Sequence, residues 1–140
     1  MKQKRSIALA LSGLALAFTS LAASAGNYSA TINLAGTTGT VTRVTVTLSG
    51  LSHTFPEDLD IMLVSPSGQQ VMLMSDVGAG VDVVGANLTF SMAALTSVPD
   101  TVVGGTFLPT HRTFGDVMAA PAPADTGISG LEAFNGSSAE

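Results

Sequence analysis

The chain contains no cysteine, no tryptophan, a single tyrosine and only five Lys and Arg residues. Without cysteine there are no disulfides, no thiolate metal site and no lipid-modified cysteine anchor, even if the chain is exported to a compartment that permits disulfides. The shortage of basic residues is concentrated in the body of the chain. Lys2, Lys4 and Arg5 stand at its start, leaving Arg43 and Arg112 to face ten carboxylates. Nucleic acid is thereby excluded as a partner, because phosphate binding draws its affinity from clustered Lys and Arg. Few aromatic residues also means little of the exposed ring surface on which a carbohydrate-binding module stacks sugars.

The N-terminal segment has a composition of its own. A basic start, an almost uninterrupted apolar run from Ile7 to Leu21 and the small-residue pattern Ala23-Ser24-Ala25 predict a secretory signal peptide over residues 1–25, cleaved after Ala25. The competing reading is a membrane anchor, since the run approaches the roughly 20 residues needed to span a bilayer. The small residues at its end, and the absence of a flanking charge after it, favour removal. The expectation is a single mature domain over 26–140, secreted, periplasmic or extracellular, and free of the membrane after cleavage.

That domain is rich in Thr, Val, Gly and Ser, which suits short strands joined by turns. From Val44 the text reads V-T-V-T-L-S, putting Val44, Val46 and Leu48 on one face of a half-buried strand. Tyr28–Leu34 alternates more weakly and predicts an edge strand. Asp60 to Val64 and Gln70 to Met74 are apolar on both faces and flank Ser65-Pro66-Ser67-Gly68, a type I turn signature, so they predict a buried hairpin. A glycine-rich loop follows. Asn87 to Met92 returns to alternation, with Leu88, Phe90 and Met92 on one side, and "GGTFLP" suggests a further short strand. Pro121 and Pro123 cannot donate ladder hydrogen bonds, so they mark an extended surface connection. No segment holds a helical period over ten residues. The fold class expected is all-β, an antiparallel β-sandwich of Greek-key or jelly-roll type.

Three carboxylates, Glu57, Asp58 and Asp60, stand immediately ahead of the first hairpin strand, where they invite a chemical explanation. Asp58 and Asp60 project to one side of an extended segment, and Asp76 and Asp82 bracket the glycine loop. This hard oxygen set suits calcium, with Asp58, Asp60 and Asp76 as the expected ligands. Acids that only cap turns and keep strand edges soluble account for the same pattern equally well. Zinc is less suited, with only His53 and His111 to add nitrogen. A glycosidase pair at Asp58 and Asp60 is weakened by the lack of a sugar platform. A catalytic triad is weaker still. "TFSMAAL" around Ser91 echoes a subtilisin-type nucleophile segment, but Phe90 and Leu95 stand where glycine and proline are needed, and there is no G-x-S-x-G elbow. No catalytic residue is assigned.

"VTVTLSGLSHTFPEDLDIMLVSPSGQQVMLMSD" resembles the P domain, also called Homo B, of kexin/furin-like proprotein convertases and of many secreted bacterial proteins. The residues carrying the resemblance are the strand Val44 to Leu51, then His53, Thr54, Phe55, Asp58 and Leu59, the strand Ile61 to Val64, and the turn Ser65 to Gly68. "NLTF", "GTFLPT" and "FGDVMAAPAPA" continue it more loosely, in the manner of the bacterial branch. The resemblance implies a galactose-binding-like jelly roll in which His53, Thr54, Phe55, Asp58 and Leu59 form a structural corner, with Asp58 accepting backbone N–H bonds and His53 hydrogen-bonded. It also implies a non-catalytic module that stabilises or associates with a serine endopeptidase domain or another exported protein. A secreted hydrolase in its own right and a carbohydrate-binding module are the alternatives.

This chain departs from the family in two places. Convertases often carry Arg-Gly-Asp at the corner, where this chain has Pro56-Glu57-Asp58. The family also continues after "LEAFNGSSA" with a Gly-x-Trp-x-Leu strand and a final strand, whereas this sequence stops at Glu140. The expectation is a sandwich missing its last strands.

Overall fold

The computed structural model describes residues 5–13, 28–34, 38–118 and 120–138. Eight strands are found among them: β1 (Arg5–Gly13), β2 (Tyr28–Leu34), β3 (Thr45–His53), β4 (Leu59–Val64), β5 (Gln70–Ser75), β6 (Val83–Ser91), β7 (Gly105–Phe107) and β8 (Thr110–His111). Short 3₁₀ turns at Pro56–Asp58 and Leu131–Phe134 are the helical elements described. None of the described helices is long and apolar enough to cross a membrane.

The strands form two sheets, one ordered β2-β1-β4-β5-β8 and the other β3-β6-β7. Val44, Val46, Leu88, Phe90 and Phe107 from the smaller sheet and its approaches share one core with Ile61, Leu63, Val71 and Leu73 from the larger. Two sheets closing on a common apolar layer make a β-sandwich, as the alternation predicts. Burial of one such side chain is worth about 1.5–3 kcal/mol. The expected antiparallel pairing holds for β3 with β6 and β4 with β5. The other pairs are parallel: β1 with β2 and β4, β5 with β8, and β6 with β7. A parallel neighbour needs a long crossover rather than a tight turn, and the connection over 92–104 supplies one between β6 and β7.

The apolar character of both faces of β4 and β5 has a specific cause. Leu59, Ile61 and Leu63 face the sandwich core, while Met62 and Met72 form a second cluster with Met118 on the outer face. The segment following β8 lies over that face. Met72 donates its N–H to the carbonyl of Ile128 at 2.8 Å, and the Gln70 amide donates to the carbonyl of Ala124 at 2.6 Å. The proline-containing connection is therefore a cover on the larger sheet.

The hairpin turn forms as its residues require. Gly68 donates to the Ser65 carbonyl at 3.0 Å, and the Ser65 hydroxyl accepts the Gln69 N–H at 3.1 Å. Met92 lies beyond the end of β6 and is 40% exposed, so the face shared by Leu88 and Phe90 stops short of it. Arg5–Gly13, which lies within the segment expected to be a signal peptide, is the strand between β2 and β4; the end of the apolar run and the expected cleavage position lie outside the described residues.

Candidate functional site: an acidic cluster roofed by the 112–127 segment

β4, β5 and β8 converge at one end of the larger sheet. Register places Ser75 of β5 opposite His111 of β8, and Ile61 of β4 opposite Met74. Asp60 therefore points to the outer face beside the end of β5, where it is fully buried. Asp76 follows immediately, with φ of 53°, a left-handed conformation that aspartate tolerates better than most residues. Asp116 enters from the covering segment. Carboxylate oxygens of Asp60, Asp76 and Asp116 all lie within 4.8 Å of one another. The Ser75 hydroxyl donates to Asp116 and stands 3.4 Å from Asp76.

A second group shares Asp116. His111 Nε2 lies 3.6 Å from Asp116 Oδ2 and 3.3 Å from Asp125 Oδ2, with the three side chains 0%, 3% and 2% exposed. Asp125 is held by two main-chain donors: its Oδ2 accepts the Gly115 N–H at 3.0 Å and its Oδ1 the Gly127 N–H at 2.8 Å. Phe114 closes over the imidazole edge-on, with ring centroids 4.7 Å apart. Neither His111 nitrogen has a hydrogen-bond partner, although both are buried. An unmade hydrogen bond at a buried polar group costs about 1–3 kcal/mol. Arg112 points elsewhere, pairing with Asp100 and donating to the Val98 carbonyl.

Carboxylates gathered this closely under cover repel one another. Two like charges 4 Å apart cost about 4 kcal/mol at an effective dielectric of 20. A cation offsets such repulsion, and oxygen ligands with one imidazole form a donor set that divalent metals accept.

Of the expected calcium ligands, Asp60 and Asp76 come together, and Asp116 joins them in place of Asp58. Asp58 lies in the 3₁₀ turn that begins with buried Pro56. That corner is closed by the main chain, through the Asp58 N–H to the Phe55 carbonyl at 3.0 Å, and by His53 Nδ1, which accepts the Phe55 N–H at 3.0 Å. His53 thus takes part in the main-chain hydrogen bonding of this corner. Ser91 ends β6 in the other sheet, its hydroxyl accepting the Ala93 N–H at 3.2 Å, while His111 faces the aspartates. From the sequence, His111 enters only as a nitrogen for a less suited zinc site, and Asp116 and Asp125 carry no ligand expectation. Their only local signal is a histidine and two acids within "HRTFGDVMAAPAPAD", a stretch with one basic residue.

Residues 41–99 match the family model of the proprotein convertase P-domain. This stretch is P-domain-like. It takes in β3, the His53-to-Asp58 corner, the β4–β5 hairpin and β6, so the recognition made from the corner and the Ser-Pro-x-Gly turn holds on the residues that carried it. No curated protein and no solved structure matches the chain. Asp60 and Asp76 lie inside the P-domain match, and His111, Asp116 and Asp125 lie beyond it. The P-domain is an accessory, non-catalytic domain linked to proprotein convertases.

Proposed function

We propose that this chain is a secreted, non-catalytic P-domain-type module that associates with or stabilises a subtilisin/kexin-like serine endopeptidase or another exported protein. The observation carrying this reading is the P-domain match over 41–99, which spans both antiparallel strand pairs of the sandwich. The basic start and apolar run at the N-terminus support export. Leu95, Val84 and Val117 are apolar side chains more than four-fifths exposed, and they give a protein partner something to cover.

The test is a binding measurement between the immobilised chain and the catalytic domain of an exported subtilisin/kexin-like protease. Saturable binding with a raised melting temperature of the protease supports the module reading, and absence of both counts against it. The hydrolase alternative is checked by fluorophosphonate labelling. Covalent modification that disappears in Ser91→Ala would overturn the non-catalytic reading.

A further inference from the structure

We propose that His111, Asp116 and Asp125 form a binding site for a divalent cation that accepts nitrogen and oxygen ligands together, zinc being the representative probe. This site is independent of the partner reading above. The observation that carries it is the state of His111. Its side chain is wholly removed from solvent, neither ring nitrogen is hydrogen-bonded, and Nε2 is aimed between two carboxylate oxygens.

Both contacts fall within ion-pair distance, but neither is a hydrogen bond. At 3.3 and 3.6 Å the imidazole nitrogen makes no hydrogen bond with either aspartate, yet the spacing suits ligands that share a metal. In a tetrahedral site with bonds of 2.0–2.2 Å, neighbouring ligand atoms stand about 3.3–3.6 Å apart. The supporting contacts have the character of an outer coordination shell. The Ser75 hydroxyl donates to Asp116 Oδ2, and the Gly115 and Gly127 amides donate to Asp125, so each carboxylate is oriented before any ligand arrives. Phe114 covers the imidazole on one side. Asp60 and Asp76 lie close by, their carboxylate oxygens within 4.8 Å of one of Asp116.

The consequence for the fold is a staple. His111 belongs to β8 at the edge of the larger sheet, and Asp116 and Asp125 belong to the segment covering its outer face. One ion would tie that cover to the sheet, in a chain that has no cysteine to do so. Calcium, with its preference for oxygen alone, would choose the Asp60, Asp76 and Asp116 group and leave His111 out.

The experiment uses the full chain without an affinity tag, stripped with chelator and titrated with zinc or calcium by calorimetry and thermal melting. His111→Gln and Asp125→Asn are compared with His53→Gln, which removes the other imidazole. The expected result is one zinc per chain, a melting temperature raised by zinc, at least tenfold weaker zinc binding in both site variants and unchanged binding in His53→Gln. If the variants fold poorly, X-ray absorption on the zinc-loaded unmodified chain still decides, since one imidazole nitrogen must appear in the first shell. Failure of zinc to bind would overturn the proposal. So would zinc binding undiminished by His111→Gln, a first shell without nitrogen, or stabilisation by calcium alone that persists in His111→Gln.

Discussion

Gly80 lies directly against the ring of Phe55: a Cβ placed on it would come within 2.5 Å of ring carbon Cε2. Its φ is +68°, so both the backbone and the available space exclude a side chain. Gly68 in the hairpin turn has φ of +85° with nothing within 4 Å of the same position. The two glycines separate backbone strain from steric overlap. Gly68→Ala is expected to cost about 1 kcal/mol, the left-handed penalty alone. Gly80→Ala should cost about 2–4 kcal/mol, because displacing the corner ring adds an overpacking penalty. Urea denaturation of both variants checks this, and equal losses would mean that the ring yields freely.

Leu63 is fully buried between the sheets, whereas Leu95 is 95% exposed in the connection after β6. Leu63→Ala is expected to destabilise the fold by about 2–5 kcal/mol through lost burial and the cavity left behind. Leu95→Ala should fall within about 0.5 kcal/mol of the unmodified chain. Thermal melts of the pair provide the comparison. A large effect at Leu95 would show that an intermolecular contact covers it in solution.

His53 accepts a main-chain hydrogen bond from Phe55, while the Asp58 carboxylate lies outside the metal-competent groups. His53→Ala should therefore cost about 1 kcal/mol. Asp58→Asn should cost less than about 0.5 kcal/mol. The denaturation midpoint should move with an unchanged slope in the first variant and stay put in the second. The reverse order would return the corner to the carboxylate.

Asp116 is common to both acidic groups, so its replacement tests them at once. In Asp116→Asn the stabilisation by zinc should vanish, whereas in Asp58→Asn it should equal that of the unmodified chain. A ligand at one hundred times its dissociation constant stabilises by about 2.7 kcal/mol. The zinc-loaded chain should accordingly lose about 5–10 °C of melting temperature when chelator is added. A melting curve indifferent to chelator would contradict this.

Much of the fold was legible locally. Tyr28–Leu34 was readable as an edge strand and ends the larger sheet; the Ser65-to-Gly68 turn announced the hairpin; and V-T-V-T-L-S marked a face of β3. These are properties of period and turn chemistry, which act between near neighbours. The parallel neighbours β7 and β8 were not legible as such, because partner choice across a long connection depends on what the sheet edge offers once the core has formed. The pairing of Asp60 with Asp76 was within reach, since a hairpin brings its two ends together. His111, Asp116 and Asp125 were not, because their meeting with that hairpin depends on β8 docking beside β5 and on the cover folding back over Met62 and Met72.

The sequence by itself determined that this is an all-β chain with a P-domain-like hairpin, because alternation, proline and glycine placement, and turn residues act over a few bonds. Only the tertiary structure decided which carboxylates share a space and that a buried histidine points between two of them. That outcome comes from packing two sheets and one covering segment around a common interior, a long-range result that no local pattern encodes.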